Sequence, residues 1–205
     1  MDTAINRFIT NIVKPWEQLN ALLAQRNALQ PDISDATRMA GSLAIEIKHQ
    51  AELAGLTTTS VLADSIAYGI MSDVADAWKH GKLRDSTRDN SLVVGSQFEG
   101  NDEGKFRFMR NVITIEHASF GKLDFITTSH DAILYWIQKL KLPIKWSPVI
   151  AEGPPEFHDE VFLHLNTKYQ VSWSAMKIMF FRQSENGELI PYDPPQWKFA
   201  LYEKW

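Results

Sequence analysis

The chain has 205 residues, of which 44% are hydrophobic and 22% charged, and its formal net charge is -4. This composition predicts a globular protein with a core of its own, and the acidic balance gives no general field that would attract nucleic acid or a membrane. Cysteine is absent, which excludes disulfides and Cys-ligated metal sites and favours a reducing compartment. We therefore expect a cytoplasmic protein with neither a secretory signal nor a membrane span.

The first part of the chain, residues 1–83, has apolar residues at helical spacing. Lys14-Pro15 predicts a break between a first and a second helix, because proline disfavours helix at the residue before it. Pro31 and Gly55 are the next breakers, and each precedes a stretch of Ser, Thr or Asp that can cap a new helix. We expect a bundle of three or four antiparallel helices with short links.

The central helix of that bundle contains most of the segment 65–83, and the Thr and Ser residues at 57–60 offer its N-caps. Its expected buried face comprises Ala63, Ile66, Ala67, Ile70, Met71, Val74, Ala77 and Trp78. The opposite, polar arc comprises Ser65, Ser72, Asp73, Asp76, Lys79 and His80. Gly81 is the expected end of the helix, with basic residues in its last turn.

The composition changes after Leu83, where a polar loop leads into segments rich in Val, Ile, Phe and Thr. The predicted strands lie at 91–98, 105–117, 122–128, 161–167, 171–183 and 196–205. The first three are expected to form an antiparallel meander, followed by one inserted helix at 131–141, and Asn186-Gly187 predicts a tight turn. The sequence thus predicts an α+β fold in a single domain, 1–205, with a helical part at 1–83 and a mainly β part at 91–205.

Asp73, Asp76 and His80 are the candidate catalytic residues, because their i, i+3, i+7 spacing places them along one side of a helix. Two carboxylates and an imidazole in one row can hold a metal, or fix the imidazole in one tautomer for proton transfer. The same spacing is also typical of ordinary charge pairs near a helix end. We predict no metal site and no cofactor, because no zinc-binding or nucleotide-binding motif occurs.

A second candidate site binds nucleic acid. Basic residues alternate with Phe106 and Phe108, an arrangement that can follow a phosphate backbone and stack bases. The candidate residues are Lys79, Lys82, Arg84, Arg88, Arg107 and Arg110. Acidic residues interrupt this run, so a solvated face of an antiparallel sheet is the alternative interpretation.

The segment 73–83, DVADAWKHGKL, resembles bacterial and phage proteins in which a helix ends in Lys-His before a β-meander. It also resembles the helix of HEPN domains, helical bundles that often act as metal-independent ribonucleases in prokaryotic defence and toxin systems. The resemblance implies that His80 takes the place of the family's His and Asp73 that of its polar residue. The family's Arg falls at Ser72, so Arg84 or Arg88 would have to stabilise the charge of the transition state.

Two functions follow as predictions. The first is a non-catalytic protein-interaction module, prokaryotic or from a phage and associated with defence, that binds a protein partner or forms a homodimer. It depends on the lack of a catalytic motif and on surplus aromatic residues, notably Trp173, Trp197, Tyr202 and Trp205. The alternative is a HEPN-like ribonuclease in which His80 transfers protons and a dimer supplies the second imidazole.

Overall fold

The computed structural model describes residues 3–28, 35–165 and 177–203, and it confirms that the chain combines helices with strands. The α-helices are α1 (Thr3–Phe8), α2 (Lys14–Leu23), α3 (Asp35–Leu53), α4 (Thr58–Asp64), α5 (Ile66–His80) and α6 (Phe125–Lys139). The strands are β1 (Asn90–Gly100), β2 (Phe106–His117), β3 (Gly121–Asp124), β4 (Val161–Leu165), β5 (Lys177–Gln183), β6 (Leu189–Pro191) and β7 (Phe199–Glu203).

The chain forms two compact units that interleave along the sequence. Among the described residues, the first unit comprises 3–20, 35–93 and 113–150. The second unit comprises 21–28, 94–112, 151–165 and 177–203. Neither unit is a continuous segment, because α2, β1 and β2 each begin in one unit and end in the other. The single-domain organisation stays a prediction.

The first unit is built on helix packing. α3 packs against α5, and α6 packs against both, so the helices predicted in the first 83 residues are joined by one from later in the chain. The indole of Trp16 is buried and donates to the Ile126 carbonyl at 3.2 Å and to the Ser129 hydroxyl at 3.1 Å. A buried indole that finds acceptors on α6 fixes this helix against the N-terminal segment.

The predicted break at Lys14-Pro15 is wrong. A π-helical turn at Ile9–Val13 joins α1 to α2, and the Lys14 N–H donates to the Ile9 carbonyl across the wider turn. The π turn accommodates the missing N–H of Pro15, so the helix continues through the proline instead of ending before it.

The inserted helix begins earlier than the sequence predicts. Residues 125–128, predicted as strand, form the first turn of α6 because Asp124 is its N-cap and accepts from the Thr127 N–H at 2.7 Å. The preceding strand β3 is therefore only four residues long and pairs antiparallel with β2. A local capping bond thus outweighs the β propensity of Phe, Ile and Thr here.

The main sheet has five strands in the order β3-β2-β1-β5-β6. β5 pairs parallel with β1 and antiparallel with β6, so the sheet as a whole is mixed. Its first three strands are neighbours in the order β3-β2-β1, as in the meander predicted for them. The predicted turn at Asn186-Gly187 is confirmed, since Gly187 has a φ of 79° and its N–H donates to Ser184 at 2.9 Å in the β5–β6 hairpin. A parallel pair requires a long connection, because the chain must return to the same end of the sheet before the second strand begins. The connection between β1 and β5 includes α6 and β4 and is long enough for this.

The core of the second unit comprises Phe98, Phe106, Phe108, Val161 and Leu163. In this unit β4 and β7 form a second, two-stranded parallel sheet. The segment at Arg26–Ala28 lies along the other edge of β4, where Ala28 donates to the His164 carbonyl at 2.9 Å and His164 donates to the Arg26 carbonyl at 2.8 Å. β7 therefore lies at an edge of this small sheet in the described part of the chain.

Candidate functional site

The middle of α5 is buried on more sides than its sequence predicts. Ile70, Met71 and Val74 are buried as expected, but Ser72 and Asp73, predicted on the polar arc, are buried as well. Ile66 and Trp78, predicted on the buried face, are 68% and 43% exposed. α5 packs against both α3 and α6, and these two contacts bury its middle, whereas Ile66 and Trp78 near its ends are exposed.

Asp73, Asp76 and His80 consequently lie in three different environments. Asp73 is buried, Asp76 is half-buried and His80 is exposed at the last residue of α5. The two carboxylates bind cations from other elements, so the sequence-predicted row is divided between an internal cluster and a surface imidazole. The catalytic role of these residues stays a prediction.

Arg88 bridges the two carboxylates. Its Nε–H donates to Asp73 Oδ1 at 2.7 Å, and its Nη2 lies 2.6 Å from the same oxygen and 2.9 Å from Asp76 Oδ2. Lys48, on α3, binds the other oxygen of Asp76. The 3₁₀ turn Ser86–Arg88 positions the arginine, and Asp85 caps this turn by accepting from the Thr87 N–H at 3.0 Å.

His117, the last residue of β2, completes the cluster from the opposite side of Asp73. Its Nε2 lies 3.2 Å from Asp73 Oδ2, and the backbone N–H of Ser119 donates to its Nδ1 at 3.1 Å. Because a backbone N–H can only donate, Nδ1 accepts and the ring proton lies on Nε2, facing the carboxylate. Both ring nitrogens are thus engaged in this arrangement, and His117 has no lone pair available to remove a proton from a substrate.

The charges of this cluster balance each other. Burial raises the pKa of Asp76, but hydrogen bonds from Lys48 and Arg88 outweigh it and hold the pKa below its usual value. The bond to Asp73 is the main cause of the raised pKa of Arg88. The two cations, the two carboxylates and the neutral imidazole together have no net charge. We expect such a balanced cluster to hold structural elements together and not to catalyse a reaction.

The six predicted nucleic-acid-binding residues differ in exposure, and their binding role stays a prediction. Lys79, Lys82 and Arg84 are exposed around Gly81 at the end of α5, whereas Arg88 is held by the two carboxylates. The remaining two belong to the second unit. Arg107 binds Glu99, with Nε 2.7 Å from Oε2, and Arg110 is buried and donates to the Asn111 carbonyl at 3.1 Å.

The second unit carries a groove on one face of the β4–β7 sheet. Its volume is about 930 Å³, and it is lined by His158, Asp159, Glu160, Phe162, His164, Lys198, Tyr202 and Glu203. The Phe162 ring is central, with the rings of His158 and Tyr202 edge-on to it at 4.9 Å and 5.4 Å. Alternation along the strands places Phe162 and Tyr202 on this face and Leu163 and Leu201 toward the core.

Arg26 lies beneath these rings. Its guanidinium is 4.2 Å from the centroid of Phe162, and its Nη1 donates to His158 Nε2 at 3.1 Å. The signal for Arg26 in the sequence is weak, because it is a single arginine after an amphipathic helix. Lys48 and His117 were likewise not predicted, since they reach Asp76 and Asp73 only through tertiary packing.

The aromatic residues predicted for interaction are partly described. Trp197 and Tyr202 are 42% and 47% exposed, as expected of a binding surface, while Trp173 and Trp205 lie outside the described residues. No group of three or more His, Asp or Glu side chains within residues 3–28, 35–165 and 177–203 is arranged to hold a metal ion.

Comparison of this chain with protein-family models, curated proteins and solved structures finds no match. The HEPN-like resemblance of segment 73–83 therefore stays a prediction. Among the described helices, none has both the length and the apolar character that crossing a membrane requires.

Proposed function

We propose that this chain is a non-catalytic protein-interaction module that binds a protein partner, or a second copy of itself, through β7. The observation that carries the proposal is the exposure of three aromatic side chains on one short edge segment. Trp197 is 42% exposed, Phe199 37% and Tyr202 47%. Large exposed aromatic residues are enriched where proteins bind each other, because they bury much area at low cost in conformational entropy.

The backbone of β7 supports the same proposal. β7 pairs with β4 on one side, and the described residues provide no strand on its other side. Such an edge presents N–H and C=O groups that another strand can bind, which is the basis of strand addition. The rings of Phe199 and Tyr202 lie on opposite faces of the sheet, so an added strand would have an aromatic contact on each face.

A second strand edge in the same unit also carries exposed hydrophobic residues. Leu189 and Ile190 of β6 are 42% and 44% exposed, and β6 is the last strand of the five-stranded sheet. The ring centroids of Trp197 and of Phe180 on β5 are 4.9 Å apart. This contact orients the exposed indole of Trp197.

The test replaces two exposed aromatic residues of β7. The variant F199K/Y202K places charges on β7, and V149K is the control, because Val149 is 83% exposed and lies in the other unit. We expect light scattering after gel filtration, or binding to a purified partner identified by cross-linking, to show association for the wild type and V149K but not for F199K/Y202K. A wild type that is monomeric and without a partner, or association that survives F199K/Y202K, would contradict the proposal.

The alternative proposal is the HEPN-like ribonuclease, and one observation favours it. His80 is exposed, and so are Lys79, Lys82 and Arg84 near it. An accessible imidazole close to three cations has the residue types needed to bind a phosphate and transfer a proton. Cleavage of RNA in the presence of a chelator is the corresponding assay.

A further inference from the structure

Arg26 has an unusual set of contacts for an arginine. Its guanidinium lies 4.2 Å from the centroid of Phe162 and 5.9 Å from that of Phe108. One nitrogen, Nη1, donates to His158 Nε2 at 3.1 Å. The other two nitrogens, Nε and Nη2, are closed off from solvent and have no hydrogen-bond partner in the part of the chain that the structure describes.

These two nitrogens form one edge of the guanidinium. Their N–H groups point the same way, and this fork matches the two oxygens of a carboxylate. Leaving such donors buried and unpaired is costly for the folded protein. Burial lowers the pKa of Arg26, while the charge of nearby Glu156 raises it, so a carboxylate is close by without bonding to the fork.

We propose that the fork of Arg26 is a receptor for a carboxylate group carried by a protein partner, either an acidic side chain or a chain terminus. The inference rests on the proposed function, because it specifies the chemistry of a partner that binds the second unit. A bound carboxylate accepts one hydrogen bond from each of these two nitrogens and neutralises the guanidinium.

The groove described above shares two residues with the surroundings of Arg26. Phe162 and His158 both contact Arg26 and both line the groove. The backbone at Arg26 is held by the hydrogen bonds with His164 at 2.8 Å and 2.9 Å, so access to Nε and Nη2 depends on a shift of side chains. The Tyr202 ring, which belongs to the proposed interaction surface, lines the same groove.

A carboxylate fits this site better than a phosphate. Among the described residues, those that line the groove include one lysine, Lys198, and three acids, Asp159, Glu160 and Glu203. A phosphate dianion would be repelled by these acids and would need more donors than one fork supplies, whereas a single negative charge matches a single guanidinium. An RNA backbone is disfavoured for the same reason.

The experiment measures thermal unfolding of the full chain at neutral pH with sodium acetate against sodium chloride at equal ionic strength. A ligand that binds only the folded state raises the melting temperature in a saturable way. We expect acetate to raise it for the wild type and not for R26M or R26K, since Met lacks the charge and Lys lacks the fork. In chloride, R26M should be at least as stable as the wild type, because it removes a buried unpaired charge.

R182M is the matched control. Arg182 also lies over an aromatic ring, 5.5 Å from the centroid of Tyr192 in the same unit, but its side chain is 48% exposed. R182M should keep the full response to acetate. Equal acetate responses in the wild type, R26M and R26K would overturn the proposal, and so would a saturable response to inorganic phosphate without one to acetate.

A further variant tests whether the chain supplies its own carboxylate. If Glu156 fills the fork in solution, the wild type will not respond to acetate and E156Q will, which would also overturn the proposal. The outcome is separable from that of the proposed function. A response to acetate that depends on Arg26 supports the receptor even if F199K/Y202K leaves association unchanged.

Discussion

Arg88 donates a hydrogen bond of 2.7 Å from its Nε to Oδ1 of Asp73, and this bond ties the loop after α5 to the buried middle of the helix. The same guanidinium reaches Asp76, one turn further along. Two acids that follow each other on a helix are therefore joined by a cation from the next element. The spacing of these two acids, which was predicted to form part of a catalytic row, lets one arginine bind both of them and so fixes the loop.

Replacing Arg88 by alanine is expected to destabilise the protein by about 2 kcal/mol, since the buried carboxylate of Asp73 loses a charged donor. R38A is the control, because the Arg38–Asp35 pair is on the surface, with side chains 67% and 77% exposed. It should change the free energy of unfolding by less than about 0.5 kcal/mol. Urea unfolding of both variants measures the difference, and equal losses would show that the cluster contributes nothing beyond an exposed ion pair.

Acid should weaken the folded state through Asp76. Its pKa is lowered in the folded protein, so its contribution is complete above the unfolded value of about 3.9 and is lost as the pH falls through the folded value. D76N lacks this titration and loses the bonds from Lys48 and Arg88. We expect D76N to be less stable than the wild type at neutral pH, with a gap that narrows as the pH falls below about 4. A gap that stays constant from pH 7 to acid would contradict this assignment.

The helix α5 shows what periodicity can and cannot predict. The hydrophobic spacing predicted the end of the helix at Gly81 and identified Ile70, Met71 and Val74 as core, but it missed the break at Ser65 that separates α4 from α5. It did not predict that Asp73 is buried, because a carboxylate is buried only where other groups bind it. Those groups, Arg88 and His117, lie 15 and 44 residues away in sequence. A candidate site predicted from the residues of one helix cannot include partners that belong to other elements.

The sheet shows a similar limit. Val, Ile and Phe-rich runs predicted β1, β2, β4 and β5 and the turn at Gly187. Strand order and direction were not predictable, since parallel pairing of β5 with β1 depends on where the chain returns after α6. The groove on the β4–β7 sheet has the same cause, because its residues come from two strands that are far apart in sequence.

Gly41 should be intolerant of a side chain. A Cβ added there would lie 2.3 Å from Cδ2 and Cε2 of Trp78, whose indole rests against α3. We expect G41A to destabilise the protein by about 1–3 kcal/mol through overpacking, despite the higher helix propensity of alanine. In the double variant G41A/W78A the penalty of the alanine should disappear.

Gly69 is the matched control, because it is a glycine of α5 whose added Cβ would meet only Leu62, at 3.4 Å. G69A should raise the free energy of unfolding by up to about 1 kcal/mol through helix propensity. Chemical denaturation of the wild type, G41A, W78A and G41A/W78A gives the coupling energy between the two sites, and G69A is measured alongside them. If G41A and G69A changed the free energy of unfolding in the same direction and by the same amount, the contact between Gly41 and Trp78 would make no difference to stability.

The last prediction concerns RNA cleavage. If His80 acts as acid and base, cleavage of single-stranded or structured RNA should survive EDTA and be lost in H80A, because imidazole chemistry at the 2′-hydroxyl needs no metal. H49A is the control, since His49 is an exposed histidine of α3, and circular dichroism should show both variants folded. The reaction needs one group that removes a proton and one that donates a proton, and His80 is one imidazole per chain. If a dimer supplies the second imidazole, the cleavage rate per chain should rise with protein concentration. D76N should lower stability but not cleavage, because Asp76 bonds to Lys48 and Arg88 and not to His80. Equal cleavage by the wild type and H80A, or none by the wild type, would remove the ribonuclease proposal and leave the interaction surface on β7 as the function to pursue.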